Sequence, residues 1–221
     1  MIASLIDHTA LKNTTTIADV EKLCSEAIEY RFASVCIPPY YVSDAMQILN
    51  NQVKICTVIG FPFGYHHYKT KTEESKQAIL DGAAELDMVM NLAAFKNNDI
   101  AYLENEVNEI ISITKGKQIV IKVIIESGIL SDEEILKCCR LYAHFPIQFL
   151  KTSSGFTDKG ATIEAVKLMR QLLPSHIGIK ASGGIRSYSF AKELIEAGAT
   201  RIGCSASVTI IKEEATELAR F

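Results

Sequence analysis

The chain has 221 residues, 48% of them hydrophobic and 22% charged, with a formal net charge of −3. That composition suits one well-buried domain, or at most two small ones. Like charges form no block, and Lys115, Lys117 and Lys122 are too scattered for a nucleic-acid stripe, so no nucleic acid is expected as a partner. Strands are expected over residues 5–9, 33–38, 54–61, 85–91, 118–126, 147–153, 177–183 and 201–205. Most are continuous apolar or β-branched runs, the pattern of parallel strands covered on both faces. Helices are expected between them. Ile17, Val20, Leu23, Ala27 and Ile28 share one face, as do Ile100, Leu103, Val107, Ile110 and Thr114, and again Ile163, Val166, Met169 and Leu173. Thr70 to Glu73 and Ser131 to Glu134 have the form of capping boxes, and Gly198 closes a helix.

Eight strand–helix repeats predict a single α/β domain over residues 1–221, a (β/α)8 barrel of the TIM type. A doubly wound open sheet is the rival, because the strand over 5–9 is the weakest of the eight. The N-terminal Met-Ile-Ala-Ser-Leu-Ile-Asp lacks the basic start and long apolar run of an export signal, and no run is long enough to span a membrane. A cytoplasmic protein without a membrane partner is expected. The six cysteines, with no Cys-x-x-Cys pair, read as reduced thiols. His66 and His67 are adjacent but lack further ligands at metal spacing, so a polar loop is expected there and no metal.

Four charges lie inside strands that otherwise read as buried: Asp87, Lys122, Lys151 and Lys180. An unpaired buried charge costs on the order of several kcal/mol. One lysine alone would read as a strand-end residue snorkelling to water. Three, with an acid on a fourth strand, read as a reactive cluster pointing inward toward the C-terminal mouth, where such barrels hold their chemistry. An amine nucleophile must be neutral, and moving a lysine from about 10.4 to roughly 7 takes about 4–5 kcal/mol. Apolar burial supplies part and a second cation supplies more. Lys151 and Lys180, on consecutive strands at similar depth, suit a Schiff-base lysine and its electrostatic neighbour. Asp87 is the inward acid for proton transfer, with Asp7 as a second candidate; the alternative is that Asp87 is the counter-ion of Lys122 or Lys151, and the two roles can coexist.

Two loops look built for an anion. Residues 181–186 carry Gly183 and Gly184, and residues 203–207 carry Ser205; each precedes a helix, in the positions where this fold commonly binds phosphate. Gly155 to Thr162 superficially resembles a P-loop but has Ala161 where the lysine must stand. No dinucleotide fingerprint or nucleophile elbow is present.

These residues resemble deoxyribose-phosphate aldolase. The resemblance runs nearly end to end through Ile6-Asp-His-Thr9, Thr57-Val-Ile-Gly-Phe-Pro-Phe-Gly64, Gly82-Ala-Ala-Glu-Leu-Asp-Met-Val-Met-Asn91, Lys122-Val-Ile-Ile-Glu126, Phe149-Leu-Lys-Thr-Ser-Ser-Gly-Phe156, Gly178-Ile-Lys-Ala-Ser-Gly-Gly-Ile-Arg186 and Arg201-Ile-Gly-Cys-Ser205. It implies a class I aldolase on a (β/α)8 barrel that reversibly cleaves 2-deoxy-D-ribose 5-phosphate to D-glyceraldehyde 3-phosphate and acetaldehyde. It implies no cofactor and no metal, a role in deoxyribonucleoside catabolism, and a homodimer. By resemblance Lys151 forms the Schiff base and Lys180 lowers its pKa. Asp87 works with water in proton transfer, and Lys122 and Asp7 support the network. Gly155, Gly183, Gly184 and Ser205 hold the phosphate, with Asp7 and Ser154 near the sugar hydroxyls.

The chain departs from the family pattern at Lys159 and Ser207, which stand where glycine is common, and in Tyr65-His-His-Tyr68. It ends at Phe221 without the tyrosine-ended tail of some members, so tail-assisted proton transfer is not expected. A phosphosugar isomerase or epimerase would use the same loops without paired inward lysines. A non-catalytic phosphosugar-binding barrel would use the lysines as charge partners only. Cys36 is expected near the mouth by its strand position.

Overall fold

The computed structural model describes residues 2–219; Phe221, on which the expectation about the tail rests, lies outside them. Eight strands form a closed barrel in chain order. They are β1 (Ile6–Thr9), β2 (Ser34–Ile37), β3 (Lys54–Ile59), β4 (Glu85–Val89), β5 (Val120–Ile124), β6 (Phe149–Lys151), β7 (Gly178–Ser182) and β8 (Arg201–Cys204). Every neighbouring pair is parallel. β8 pairs with β1, His8 opposite Cys204, and that pairing excludes the open sheet.

Helices form the outer ring: α1 (Ile17–Tyr30), α2 (Val42–Leu49), α3 (Tyr68–Leu80), the short α4 (Leu92–Lys96), α5 (Ile100–Thr114), α6 (Asp132–Tyr142), α7 (Ile163–Leu172), α8 (Tyr188–Glu196) and α9 (Ser207–Leu218). Thr16 and Ser131 each form a capping box, the second as expected. The box expected at Thr70 does not form. α3 already starts at Tyr68, and the His67 ring caps it by accepting from the Lys69 N–H. Thr70 is therefore helical, and a helical residue cannot serve as N-cap. His66 and His67 are exposed, as a polar loop requires.

Alternation along each strand divides the chemistry. Ile6, Val35, Leu86, Met88, Ile121, Val123, Leu150, Ile179 and Ile202 are buried in the core cluster shared with the helices. Each contributes about 1.5–3 kcal/mol of apolar burial. Their strand neighbours Asp7, Ser34, Cys36, Asp87, Lys122, Lys151 and Lys180 are also buried, on the barrel's inner face. Gly203 makes room there, since a Cβ on it would come within 2.9 Å of Lys180 Cε. Among the described residues no helix is long and apolar enough to cross a membrane. All six cysteines are free and buried.

Candidate active site

Strand register brings the interior charges together before any side chain is considered. Asp87 lies opposite Lys122 across β4 and β5, and Lys151 lies opposite Lys180 across β6 and β7. Asp87 Oδ1 accepts from Lys122 Nζ at 2.8 Å. Its Oδ2 accepts from both Lys151 Nζ and Lys180 Nζ at 2.7 Å. Lys180 Nζ also lies 2.5 Å from Asp7 Oδ2. Asp7 Oδ1 in turn accepts from Arg201 and from Ser34 Oγ, both at 2.7 Å. Lys122 has a further partner in Glu85 Oε2 at 2.6 Å, out of line for a hydrogen bond. The barrel interior thus holds three carboxylates (Asp7, Glu85, Asp87) and four cations (Lys122, Lys151, Lys180, Arg201). Loss of one proton balances the set.

The electrostatics fix the charge of several members. Burial opposes the Lys180 ammonium, yet Asp7 and Asp87 outweigh it and hold its pKa above the ordinary lysine value. Lys122 is raised in the same way, burial again being overcome, by Asp87, Cys56, Asp7 and Glu85. Burial would raise the Asp87 carboxyl, but Lys122, Lys151 and Lys180 together hold it well below the usual carboxylate range. Asp7 is depressed against the same burial cost by Lys180, Lys122 and Arg201. Lys122 and Lys180 are therefore held as cations and Asp87 as an anion, and Lys151 shares Asp87 with both.

Lys151 is also the member that meets the outside. A cleft of about 830 Å³ opens at the C-terminal mouth, and Lys151 lines it; Lys122, Lys180 and Arg201 do not. Ser154, Gly155, Gly183, Gly184 and Ser205 line the same cleft, so the two anion loops and the lysine face one chamber. Gly183 and Gly184 have φ of +89° and +78°, left-handed conformations that turn the backbone at little cost only in glycine. Lys12, Lys22 and Arg186 add positive charge to the walls.

The inward orientation expected for Asp87, Lys122, Lys151 and Lys180 is observed, but the first two and Lys180 lie beneath the cleft floor rather than at the mouth. Asp7 is likewise fully buried under the floor against Lys180, away from the chamber where sugar hydroxyls would lie. Cys36, expected near the mouth, is sealed inside with its Sγ 4.0 Å from Asp87 Oδ2. Its inward turn on β2 explains the difference. Cys56 Sγ donates to Asp87 Oδ1 at 3.1 Å.

Several participants escaped the sequence reading. Glu85 stands two residues before Asp87, so period-two alternation alone puts it on the inner face. Glu106 falls three residues after Leu103 and four before Ile110, on the apolar stripe of α5. It pairs with the equally buried Lys71 at 2.6 Å. Lys71 donates to the Val89 carbonyl at 2.7 Å, and Glu106 Oε2 accepts from the Asn91 N–H at 3.0 Å. The pair clamps the end of β4 just beyond Asp87. Glu126, buried with φ +55°, accepts from the Ser154 N–H at 3.1 Å, from the Ser154 hydroxyl, and from Thr157 Oγ1 at 3.1 Å. It fixes the loop that follows Lys151.

Donor atoms of Cys36, Cys56 and Asp87, and of Asp7, Cys56 and Glu85, cluster within 4.8 Å. Lys122, Lys151 and Lys180 already neutralise those carboxylates, so a metal ion there would meet like charge.

A buried lysine network opening at one residue onto an anion-lined cleft is suited to carbonyl chemistry on a phosphorylated substrate, and the comparisons with known proteins agree. The family profile described as DeoC/LacD family aldolase matches residues 1–212. The deoxyribose-phosphate aldolase of Caldanaerobacter subterraneus subsp. tengcongensis is 48% identical over 214 residues, covering 96% of this chain and 93% of its own. That of Clostridium tetani is 47% identical over 213 residues, covering 96% and 98%. The solved deoxyribose phosphate aldolase of Aeropyrum pernix, described as tetrameric, superposes with a TM-score of 0.89 at 33% identity, covering 98% and 92%. Likeness in sequence and in fold extends over nearly the whole length of both partners in each comparison, and the chain belongs to the DeoC/LacD family of aldolases.

Proposed function

We propose that this aldolase reversibly cleaves 2-deoxy-D-ribose 5-phosphate to D-glyceraldehyde 3-phosphate and acetaldehyde through a Schiff base on Lys151. The observation that carries the assignment to Lys151 is its place in the charge cluster: of the interior cations it alone lines the cleft. The neutral Lys151 amine adds to C1 of the open-chain sugar, and loss of water gives the iminium. A base takes the C3 hydroxyl proton, the C2–C3 electron pair moves into the iminium, and glyceraldehyde 3-phosphate leaves. The enamine is then protonated at C2 and hydrolysed to acetaldehyde and free lysine. Lys180 supplies the neighbouring charge that favours the neutral amine. Asp87 enters the cycle ionised, so within the water-assisted relay it accepts a proton before it donates one. Lys122 and Asp7 hold Asp87 and Lys180 in position. Gly155, Gly183, Gly184 and Ser205 are assigned to the phosphate end, with backbone N–H donors at the openings of α8 and α9, and Ser154 to the sugar hydroxyls.

The test is borohydride reduction in the presence of acetaldehyde, followed by peptide mass mapping. The adduct is expected on Lys151 and is expected to vanish in Lys151→Arg, whose guanidinium stays protonated. An adduct on Lys180 with Lys151 unmodified would overturn the assignment. By the same family reading the enzyme acts in deoxyribonucleoside catabolism in the cytoplasm and as a homodimer, a state that light scattering reads directly.

A further inference from the structure

The wall of the cleft between β1 and β8 carries a histidine that the aldol steps do not use. His8 is 3% exposed and lines the cleft. Its Nδ1 lies 2.9 Å from Ser207 Oγ, and its Nε2 lies 2.8 Å from Glu26 Oε2 on α1. The Phe32 ring tilts against it at 5.0 Å between centroids. Ser207 opens α9 immediately behind the 203–205 loop. Its hydroxyl donates to the Cys204 carbonyl at 3.0 Å and lies 3.3 Å from Cys204 Sγ.

Ser207 has one hydroxyl hydrogen. While the Cys204 carbonyl takes it, the Ser207 oxygen can only accept, and Nδ1 must donate. An ionised Glu26 can also only accept, so Nε2 must donate as well. The observed geometry is fully satisfied by the imidazolium form. A neutral ring keeps one N–H. If that hydrogen stays on Glu26, the Ser207 hydroxyl must turn to Nδ1 and release the Cys204 carbonyl, part of the loop assigned to phosphate.

On the reading that the loops after β7 and β8 hold the substrate's phosphate, we propose that His8 is a proton-operated positioning residue. As imidazolium it holds the 204–207 turn in place for the phosphate, and as neutral imidazole it lets that turn go. The groups that face the ring are Glu26 and Lys22 from α1, Cys204 and Ser207 from the β8–α9 turn, and Phe32. Burial draws the ring's pKa below the ordinary 6.5, while Glu26 and the Cys204 carbonyl pull it up. Phosphate binding, which favours the held turn, draws a proton onto the ring. By linkage, affinity for the phosphorylated sugar is greatest below the midpoint and is lost as pH rises through it.

The experiment measures KM and kcat for 2-deoxyribose 5-phosphate and for free 2-deoxyribose, from about pH 5 to 8, in the wild type and in His8→Asn. The variant keeps a donor near Ser207 but cannot titrate. The wild-type ratio of the two KM values is expected to change across this range by at least about fivefold more than that of the variant, a typical lower value for coupled sites. The residual change in the variant reports the substrate's own phosphate, and kcat is expected to follow the same pH course in both proteins. Superimposable KM ratios overturn the proposal, as does an equal loss of kcat on both sugars. If neither protein prefers the phosphorylated sugar at any pH, the phosphate reading of the loops fails, and the proposal falls with it.

Should His8→Asn not fold, side-chain NMR of the wild-type histidines with inorganic phosphate decides the matter. The His8 midpoint, identified by its shift in Glu26→Gln, is expected to rise by about 0.7 pH, the same fivefold factor seen from the other side. The exposed His66, His67, His144 and His176 serve as internal controls. An unmoved His8 midpoint overturns the proposal.

Discussion

Asp87 holds three ammonium groups with two oxygens, and that crowding separates the lysines by role. Lys180 shares Oδ2 with Lys151 but has Asp7 as a second anion; among the described residues Lys151 has no second carboxylate in its ion pairs. Replacing Lys180 with methionine removes the fixed charge and keeps the nucleophile. Imine formation with acetaldehyde is expected to slow by roughly ten- to a hundredfold at neutral pH, equivalent to about 1.4–2.8 kcal/mol, and to recover in part as pH rises. Stopped trapping with borohydride across a pH series measures it; a pH-independent loss would assign Lys180 to proton transfer alone. At this scale the types and strands of the reactive residues were legible in the sequence, because lysines inside continuous apolar runs break the pattern. Their unequal contacts were not, since Asp7 and Arg201 reach them from strands remote in sequence.

The ends of β4 and β6 are each held by a buried acid from a neighbouring element. The Lys71–Glu106 pair joins α3 to α5 and grips the Val89 carbonyl and the Asn91 N–H, so the backbone leaving Asp87 is clamped from two sides. Glu126 does the same for the loop after Lys151. Glu106→Gln leaves the Lys71 charge buried without its counter-ion, and a loss of about 3–5 kcal/mol is expected in urea unfolding. Replacing both residues with apolar ones of similar size is expected to recover much of that stability, while activity stays low because Val89 and Asn91 lose their partners. A double variant with full activity would show that the clamp has no part in positioning Asp87. Helix positions were readable from their apolar periodicity. The start of α3 was not, because its cap is a histidine ring rather than the hydroxyl of Thr70.

The closed barrel gathers seven opposite charges inside one layer of strands, and this ties stability to pH. Asp7 and Asp87 have folded pKa values below the ordinary 3.8, so the unfolded chain binds protons first as pH falls. Their contribution is fully present above that ordinary value and is lost as pH drops from about 4 toward their folded values. Lys122 and Lys180 are raised, so their contribution is present below the ordinary 10.5 and is lost as pH climbs through the folded values. Urea midpoints measured from about pH 3 to 11 are expected to form a plateau that falls at both ends. Asp7→Asn is expected to flatten the acid limb; an unchanged acid limb would mean that other carboxylates govern it.

The sequence by itself determined the alternation of strands and helices, and hence parallel strands covered on both faces. Closure into a barrel rather than an open sheet was decided by the pairing of β8 with β1. The sequence also marked Asp87, Lys122, Lys151 and Lys180 as an inward cluster of charges, since such charges do not persist in apolar strands without partners. Only the tertiary structure decided which lysine faces the chamber, that Asp7 works from below the floor, and that His8 joins α1 to the loop before α9. Those are consequences of register and closure, in which β8 meets β1 across almost the full length of the chain. Hydropathy patterns record burial along the chain but carry no term for a contact between its two ends.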